Sequence, residues 1–460
     1  MNKTTHRKMV TFAMMVSIFM VAIDTTIVTT AMPHIVNQLN GLKLISWVFA
    51  IYLLTTSITT PIYGKLADLF GRKHIFIFGV ALFVSGSIVS GMAQTMPQLI
   101  FFRALQGLGA GAVTPLTFTI IGDLYSGEER ARMQGVFSSI WGVAGLLGPL
   151  VGGLFVDHFS WRWIFYINVP IGAVAILMVF SFLHETQVTK TKKNIDYLGA
   201  FLFTVSMSSL LYALISGGEA YAWNSTVIIS LFLTAVLFLI LFLRVEAGAK
   251  EPMIPIGLFK IPIIAVSNVV CFMSSIVLIG TNVYLPIWIQ MVLGHNATSS
   301  GLTLMPMSLA WPLASTLAGR FMYSIGSKIT AIFGAVMIVL GSAWLMFVNV
   351  NSPYWYIVGL MVVIGFGMGC SVTPLTVLIQ SAVGWNLRGA ATASNTFSRS
   401  LGQTLGIAVF GTVFNSALQY GMPQSLHQVF TLVFSVSILT LIISAALPSH
   451  RQTMSQQMAD

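Results

Sequence analysis

Charged side chains are scarce in this sequence. Only 7% of its 460 residues are Asp, Glu, Lys or Arg, and 56% are hydrophobic, whereas ordinary soluble domains carry about 25% charged residues. So few charges cannot cover the surface of a water-soluble protein of this length. The composition therefore excludes an ordinary soluble domain and predicts a membrane protein.

Cysteine is nearly absent, and two common enzyme signatures are missing. Cys271 and Cys370 are the only cysteines and both fall inside apolar runs, so no disulfide framework of a secreted protein is indicated. Neither H-E-x-x-H nor G-x-x-x-x-G-K-[ST] occurs, so zinc hydrolysis and ATP-driven pumping lack support. We expect no metal site and no cofactor, and the short loops leave no soluble domain to hold an enzyme.

Long apolar runs occupy most of the chain. Each is close to the roughly 20 helical residues that cross the hydrocarbon core of a bilayer. The sequence predicts an all-α polytopic membrane protein with fourteen transmembrane helices. The fourteen runs are 9–31, 44–63, 74–93, 98–121, 134–156, 163–183, 198–216, 226–243, 262–284, 301–319, 329–350, 355–379, 390–417 and 428–447.

Basic residues are distributed unevenly across these runs. With the N-terminus inside, eighteen of the 22 Lys and Arg lie on the cytoplasmic side. Lys43 and Arg162 fall outside, and Arg103 and Arg399 lie within or near the end of spans. This is the positive-inside pattern, so the net charge of +10 implies no nucleic-acid partner. We expect a multi-pass protein of the cell membrane with both termini cytoplasmic and the lipid bilayer around it.

Three sequence blocks recur in the same order. Residues 64–73 are echoed at 319–328, an offset of 255, and V-T-P-L-T at 113–117 returns at 372–376, an offset of 259. F-S-x-x-x-G at 137–142 returns at 397–402, an offset of 260. The offset is eight spans, and an even number preserves orientation, so we predict two parallel six-helix repeats with two inserted helices. The predicted domains are 1–185, the inserted pair 186–261, 262–448, and a cytoplasmic tail at 449–460.

A single charge, Asp24, interrupts the first apolar run. Insertion of a carboxylate near the centre of a membrane helix costs roughly 2.5 to 3.5 kcal/mol, so such a residue usually marks an ion or proton path. The alternative is that Asp24 only caps or pairs within the bundle.

The loop after the second run reads G-K-L-A-D-L-F-G-R-K at 64–73. It resembles the cytoplasmic loop motif of the major facilitator superfamily, with Gly64, Asp68, Gly71, Arg72 and Lys73 as the matching residues and Leu69 where the family usually has a basic residue. The resemblance implies the major facilitator fold, and a latch that joins its two halves in the outward-facing state. The alternative is a solvated charged turn.

The fourth run carries L-x-x-x-R-x-x-Q-G-x-G at 99–109. It is similar to the superfamily's fourth-span motif, whose arginine is implicated in proton coupling, and this implicates Arg103. The repeat has Met361 at the equivalent position, so Arg103 is not simply a requirement of the repeated fold. Asp123, at the cytoplasmic end of the same span, fits either a relay or a helix-end interaction.

The fifth run is rich in glycine. Glycines three and four residues apart let another helix approach closely, and a proline permits a bend. The pattern resembles the superfamily's antiporter signature, which implies export by exchange; the alternative is helix packing alone. The residues of this hinge motif are Gly142, Gly145, Gly148, Pro149, Gly152 and Gly153.

Three further stretches resemble the fourteen-span drug:proton antiporters of the QacA and EmrB type. They are D-T-T-I-V from Asp24, W-R-W-I-F-Y-I-N-V-P from Trp161 and N-I-D-Y-L-G from Asn194. The resemblance implies a bacterial multidrug efflux antiporter, coupled to protons through Asp24, that operates as a monomer by alternating access.

The substrates implied are amphipathic drugs and dyes, as monovalent cations or as zwitterions such as fluoroquinolones. Residues 301–319 contain no acidic residue, which makes dications doubtful. A dedicated exporter or a proton symporter of one metabolite is the alternative, and a polytopic membrane enzyme is a remote one.

Overall fold

In the structure, a computed structural model, the chain forms a set of long helices. The structure describes residues 5–125, 127–184, 196–218, 220–249, 252, 256–383 and 388–448. Within these ranges the only β pairing is an isolated bridge between Gly217 and Tyr221. An all-helical chain suits a lipid environment, because a helix satisfies its backbone hydrogen bonds within one segment.

Fifteen α-helices are described, and every predicted apolar run coincides with one of them or, at 163–183, with two. They are α1 Arg7–Leu39, α2 Ile45–Phe70, α3 Arg72–Gly91, α4 Met96–Leu124, α5 Gly127–His158, α6 Trp163–Tyr166, α7 Asn168–Phe182, α8 Tyr197–Ser216, α9 Thr226–Gly248, α10 Pro262–Ile287, α11 Ala297–Ser324, α12 Ser327–Met346, α13 Tyr354–Ser381, α14 Arg388–Ala417 and α15 Met422–Ala445.

The predicted fold class is confirmed. Thirteen helical segments of the described chain are long and apolar enough to cross a membrane, with α6 and α7 together forming one of them. The remaining predicted run, 301–319, lies within α11, which contains Pro306 and Pro312. Its prolines, serines and threonines lower the hydropathy of α11.

The chain divides into two compact units. The first contains Met1–Ala213, Asn224–Met253 and Asn296–Gly301, and the second contains Leu214–Trp223, Ile254–His295 and Leu302–Asp460. In the first, α1 packs on α5 and α7, and α3 packs on α4; in the second, α10 packs on α14 and α15, and α12 packs on α13. Helices at equivalent positions of the two repeats therefore pack on one another in the same way in each unit. The predicted domain boundaries stay a prediction, and most of α8 and all of α9 cluster with the first unit.

Glycines at equivalent positions let α3 approach α4 in the first unit and α12 approach α13 in the second. A Cβ added to Gly109 on α4 would lie 2.7 Å from the Gly79 carbonyl oxygen on α3. A Cβ added to Gly367 on α13 would lie 2.9 Å from the Gly334 carbonyl oxygen on α12. Each glycine in the second unit is the sequence equivalent of its counterpart in the first, so the repeat extends to backbone contacts.

The turn before α3 and the turn before α12 also share one backbone conformation. Gly71 has φ 92° and ψ 140°, and Gly326 has φ 95° and ψ 146°. Only glycine adopts this region without strain, because a side chain would clash with its own backbone. The spacing of 255 residues found in the sequence therefore reflects a repeated turn.

We expect Gly71→Ala and Gly326→Ala each to lower the melting temperature of the detergent-purified protein. A residue forced into this region costs about 1 to 3 kcal/mol. Gly64→Ala and Gly319→Ala are matched controls, because an added Cβ at either meets nothing within 4 Å and neither has a positive φ. Equal melting temperatures for all four variants would contradict a glycine requirement at these turns.

Candidate functional site

Asp24 and Arg103 form an ion pair in the interior of the first unit. Arg103 Nη1 donates to Asp24 Oδ2 at 2.6 Å, and the Asp24 and Arg103 side chains are 0% and 1% exposed. Removing two charges from water costs several kcal/mol per ion, and only close pairing with further hydrogen bonds compensates this cost. The geometry therefore requires additional polar partners around the pair.

Two amide side chains supply those partners. Gln106 Nε2 donates to Asp24 Oδ1 at 2.8 Å, and Asn168 Nδ2 donates to the same oxygen at 3.0 Å. Gln106 Oε1 accepts a second bond from Arg103 Nη1 at 2.8 Å. Each described partner of the Asp24 carboxylate donates a hydrogen bond to it. The carboxylate therefore acts only as an acceptor, as its ionised form does.

Ser87 on α3 connects the two amides to the backbone. Its Oγ accepts from Asn168 Nδ2 at 2.9 Å and from Gln106 Nε2 at 3.2 Å, and it donates to the Phe165 carbonyl at 2.9 Å. The network therefore ties together α1, α3, α4, α6 and α7. Its members are Asp24, Ser87, Arg103, Gln106 and Asn168, which we call the carboxylate network.

The local sequence explains how these side chains meet. Arg103 and Gln106 are three residues apart and share one face of α4. Gly86 lets α3 approach that face, since a Cβ on Gly86 would lie 2.5 Å from the Gln106 nitrogen. Asn168 is the first residue of α7, and Gly172 one turn later lets α7 pack closely, because a Cβ there would overlap Val84.

Aromatic rings cover the guanidinium. The Arg103 Cζ lies 4.0 Å from the Tyr52 ring centroid and 6.0 Å from that of Phe165. These rings stabilise the cation and keep water from it. Three buried atoms of this region have no hydrogen-bond partner in the described structure: Arg103 Nε, Asn168 Oδ1 and the Tyr52 hydroxyl. The unused acceptor on Asn168 lies on the same amide that donates to Asp24.

Asp123 lies away from the carboxylate network. Twenty residues of α4 separate it from Arg103, which corresponds to about 30 Å of helix. It pairs with Arg72, and the Asp123 and Arg72 side chains are 54% and 26% exposed. Lys73 Nζ donates to the Phe180 and Leu183 carbonyls at 2.7 Å each. Arg72 and Lys73 thus attach the start of α3 to the ends of α4 and α7.

The remaining residues of the predicted latch are only partly described. Gly71 forms the turn between α2 and α3, and a Cβ on Gly64 would meet nothing within 4 Å. The side chain of Asp68 lies outside the described part of the structure. The predicted latch therefore stays a prediction.

The glycines of α5 pack against α1 beside Asp24. A Cβ on Gly148 would overlap Thr26 Oγ1, and one on Gly152 would lie 2.9 Å from the Ile27 carbonyl oxygen. Thr26 Oγ1 also donates to the Ala144 carbonyl at 3.1 Å. This face of α5 therefore fixes the turn of α1 that follows Asp24.

The end of α5 lies against the first turn of α11, within the first unit. A Cβ on Gly153 would overlap the Thr298 backbone, and one on Gly301 would overlap the Pro149 carbonyl. Asp157 Oδ2 accepts from the Thr298 nitrogen at 2.8 Å, which caps the helix. Gly142 and Gly145 lie earlier in α5 and are partly exposed.

Sequence reasoning singled out Asp24 and Arg103 but missed the neutral members of the network. Gln106 follows Arg103 by one helical turn, and Asn168 is an amide within the apolar run 163–183, so both carried a signal that was not used. Ser87 and Tyr52 carried none, because serine and tyrosine are common in membrane helices. Among the described residues, no three His, Cys, Asp or Glu side chains form a group that could hold a metal.

A family model and two curated relatives all match most of the chain. The family model described as Major Facilitator Superfamily matches residues 14–196 and 195–407. The chain is 38% identical over 415 residues to "Multidrug transporter protein MdtP" of Bacillus subtilis (strain 168), covering 90% of this chain and 76% of that protein. It is 38% identical over 411 residues to "Multidrug resistance protein 3" of the same organism, covering 89% and 80%.

Solved structures show the same fold at low sequence identity. A mutant of the nucleoside transporter NupG matches with a TM-score of 0.69 at 13% identity, over 95% of this chain and 99% of that chain. A D-xylose-proton symporter matches with a TM-score of 0.69 at 14% identity, over 95% and 96%.

We expect Asp24→Asn and Arg103→Gln each to destabilise the protein more than the double variant does. Each single change leaves one buried charge without its partner, a loss of about 3 to 5 kcal/mol, whereas the double variant removes both charges. The measurement is the melting temperature of detergent-purified protein. The control is the exposed pair Arg7 and Glu129, joined at 3.0 Å, where neutralisation of either residue should change little. A fall in melting temperature of the double variant that equals the sum of the two single falls would contradict a direct interaction between Asp24 and Arg103.

We expect Gly148→Ala to reduce both the melting temperature and transport. The added Cβ would overlap Thr26 Oγ1, so α1 and α5 must separate beside Asp24. Adding Thr26→Ala removes the nearest atom and should restore part of both. Gly248→Ala is the control, because it is also a helical glycine but an added Cβ there meets nothing within 4 Å. An unaffected Gly148→Ala protein would show that the contact is not tight.

Proposed function

The chain belongs to the Major Facilitator Superfamily and is therefore a membrane transporter rather than an enzyme, and we propose that it is a proton-coupled multidrug efflux antiporter. It exports amphipathic drugs, as monovalent cations or zwitterions, in exchange for protons. We assign it to the fourteen-span group of the QacA and EmrB type. Its place is the cell membrane of a bacterium, with both termini cytoplasmic and a monomer as the working unit.

Drug export is supported by the relatives and by the fifth span. Two proteins that align with about nine-tenths of this chain have names that state multidrug transport or resistance, and a relative from Dothistroma septosporum at 32% identity is called an efflux pump. Two glycines of the hinge motif, Gly148 and Gly152, contact α1 just after Asp24, which places the motif where it can couple the movement of α5 to the carboxylate. The names of these relatives describe those proteins, and the drug classes assigned to this chain are part of our proposal.

The observation that carries proton coupling is the fully buried Asp24 within the carboxylate network. Its partners all donate, which suits the ionised form. When Asp24 takes up a proton it becomes a donor and needs an acceptor. Rotation of the Asn168 amide by half a turn presents its unused Oδ1 in place of the nitrogen, whereas Gln106 stays in place because its Oε1 accepts from Arg103 Nη1. Either protonation state is then satisfied without exposing the site to water.

Protonation also changes the charge of the site. With Asp24 ionised, the pair with Arg103 is neutral; with Asp24 protonated, the Arg103 charge is uncompensated. A cationic drug nearby is repelled in the second case, and in a low-dielectric interior that repulsion is strong. Proton and cation binding therefore oppose each other, which is the requirement for exchange.

The charge moved per cycle distinguishes the two classes of substrate. One proton in for one monovalent cation out moves no net charge, so the pH gradient alone drives it. One proton in for one zwitterion out moves one positive charge inward, and about 2.3 kcal/mol per 100 mV of membrane potential is added. The predicted latch around Asp68 would hold the outward-facing state in either cycle.

A dedicated exporter or a proton symporter of one metabolite is the alternative. The similarity to a solved D-xylose-proton symporter shows the fold alone at 14% identity and does not favour symport. Uptake of a single compound together with insensitivity to all drugs would favour this alternative.

We expect substrate-dependent proton release from everted membrane vesicles whose lumen has been acidified by respiration. Adding ethidium or norfloxacin to wild-type vesicles should make the lumen more alkaline, as followed with a pH-sensitive dye, and Asp24→Asn should abolish the response. Glu129→Gln is the control, because Glu129 is 65% exposed in a surface pair with Arg7. Asp123→Asn tests whether its pair with Arg72 is only structural.

The responses are compared at equal amounts of wild-type and variant protein in the membrane. A normal response of Asp24→Asn would overturn coupling through Asp24 and direct attention to Arg103 and Asp123. No response of the wild type to any drug, with proton release on adding one metabolite, would favour the alternative transporter.

A further inference from the structure

Acidic side chains are almost absent from the second half of the sequence. Of the twelve Asp and Glu residues, eleven lie between Asp24 and Glu251, and the last is Asp460. Residues 252–459 nevertheless contain a charged residue within a long apolar segment. Arg399 lies on α14, five residues inside the apolar segment Ser394–Tyr420. The equivalent residue of the first half is Ser139, so Arg399 is not a requirement of the repeat.

Arg399 is partly buried, and it forms no ion pair or hydrogen bond within the described structure. A positive charge in a membrane helix is costly unless it meets a partner, a water-filled cavity or the interface. For Arg103 the partner is Asp24. For Arg399, residues 252–459 supply no carboxylate, so any counter-charge comes from outside that stretch of the chain.

The face of α14 that carries Arg399 contacts α10. Asn395, one turn earlier, donates to Asn268 Oδ1 at 3.0 Å, and Asn268 Nδ2 donates to Ser394 Oγ at 3.3 Å. One turn later, a Cβ on Gly402 would overlap the Phe272 carbonyl. Residues 395, 399 and 402 recur at helical spacing, so the base of the Arg399 side chain lies along this seam.

The opposite wall of the seam offers hydrogen-bond donors. Cys271 on α10 lies close enough to Asn395 and Arg399 to interact with both electrostatically. Ser267 and Ser274 stand four residues before and three residues after Cys271, on the same side of α10. Both hydroxyls are buried and have no partner in the described structure. The seam thus combines one cation, unsatisfied hydroxyl donors and no acidic group.

We propose that Arg399 and the α10–α14 seam bind the anionic group of acidic or zwitterionic substrates, a carboxylate in the case of a fluoroquinolone. The inference rests on the proposed drug export and specifies which substrates the second unit selects. A guanidinium binds a carboxylate through two parallel N–H···O bonds, which a lysine ammonium cannot reproduce. The carboxylate of the drug supplies the negative charge that residues 252–459 lack.

The site also explains how cations and zwitterions use one transporter. A lipophilic cation gains nothing from Arg399 and is repelled by it, whereas a zwitterion presents its carboxylate to Arg399. The proton-coupling carboxylate and the anion-binding guanidinium then belong to different units. Loss of Arg399 should therefore change substrate preference and leave proton coupling in place.

The test compares two ligands that differ only in the anionic group. Norfloxacin and its ethyl ester are titrated, by their own fluorescence, into the full-length protein in nanodiscs of phosphatidylcholine alone, which removes anionic lipid as an occupant. For Arg399→Gln we expect the Kd of norfloxacin to rise about tenfold, because hydrogen bonds to charged groups are the stronger class. The Kd of the ester should change less than about twofold. Arg399→Lys should fall between wild type and Arg399→Gln.

Arg320→Gln is the matched control, because it removes another arginine of the same unit, at the end of α11. An equal loss for norfloxacin and its ester in Arg399→Gln would overturn the proposal and indicate a structural role. Unchanged norfloxacin affinity would also overturn it, as would discrimination that appears only when anionic lipid is added. If Arg399→Gln fails to fold, the ratio of the two Kd values in Arg399→Lys decides. Ethidium-driven proton release in wild-type vesicles tests the proposed function separately, since ethidium has no carboxylate.

Discussion

The pairing of Asp24 with Arg103 is the constraint on which the first unit depends. Neither charge can remain alone in a membrane helix, and the pair is tolerated only because Gln106 and Asn168 satisfy the second carboxylate oxygen at 2.8 and 3.0 Å. Those amides in turn require Ser87 on α3 and the close approach of α3 and α4 at Gly86. One ion pair thus dictates the packing of α1, α3, α4 and α7, and small residues at the contacts make that packing possible.

The two units share a scaffold and differ in chemistry. Gly79 and Gly109 have Gly334 and Gly367 as equivalents, and the turn glycines Gly71 and Gly326 have the same conformation. At the positions of Arg103 and Gln106, however, the second unit has Met361 and Ile364, both fully buried. Backbone contacts have been kept in both copies, whereas the buried ion pair is confined to one. A duplicated fold can therefore carry an asymmetric function, with the ionisable carboxylate in only one half.

Most of the fold could be predicted because it depends on local sequence. Each of the fourteen apolar runs coincides with helix in the structure, and thirteen helical segments are apolar enough to cross a membrane; internal similarity found the repeat. The network was only half predictable: Asp24 and Arg103 are conspicuous as charges in apolar runs, whereas Ser87 and Asn168 are ordinary residues until folding joins them across 81 positions of the chain. The partner of Asp123 could not be read from sequence either, since helix ends offer several basic residues and only the geometry selects Arg72.

Neutral amides suit the proposed coupling better than further charged residues would. A lysine or arginine beside Asp24 could only donate, so a protonated carboxyl group would lose its partner and Arg103 would face a second cation. An amide presents a donor or an acceptor depending on its rotation, and the free Asn168 Oδ1 is already in the pocket. The proton can therefore be accepted or released with a local rotation of one side chain. In the proposed cycle the tight backbone contacts at Gly148 and Gly152 can remain intact while the charge of the site changes, so that the change in charge, and not a loss of packing, would drive the change of conformation.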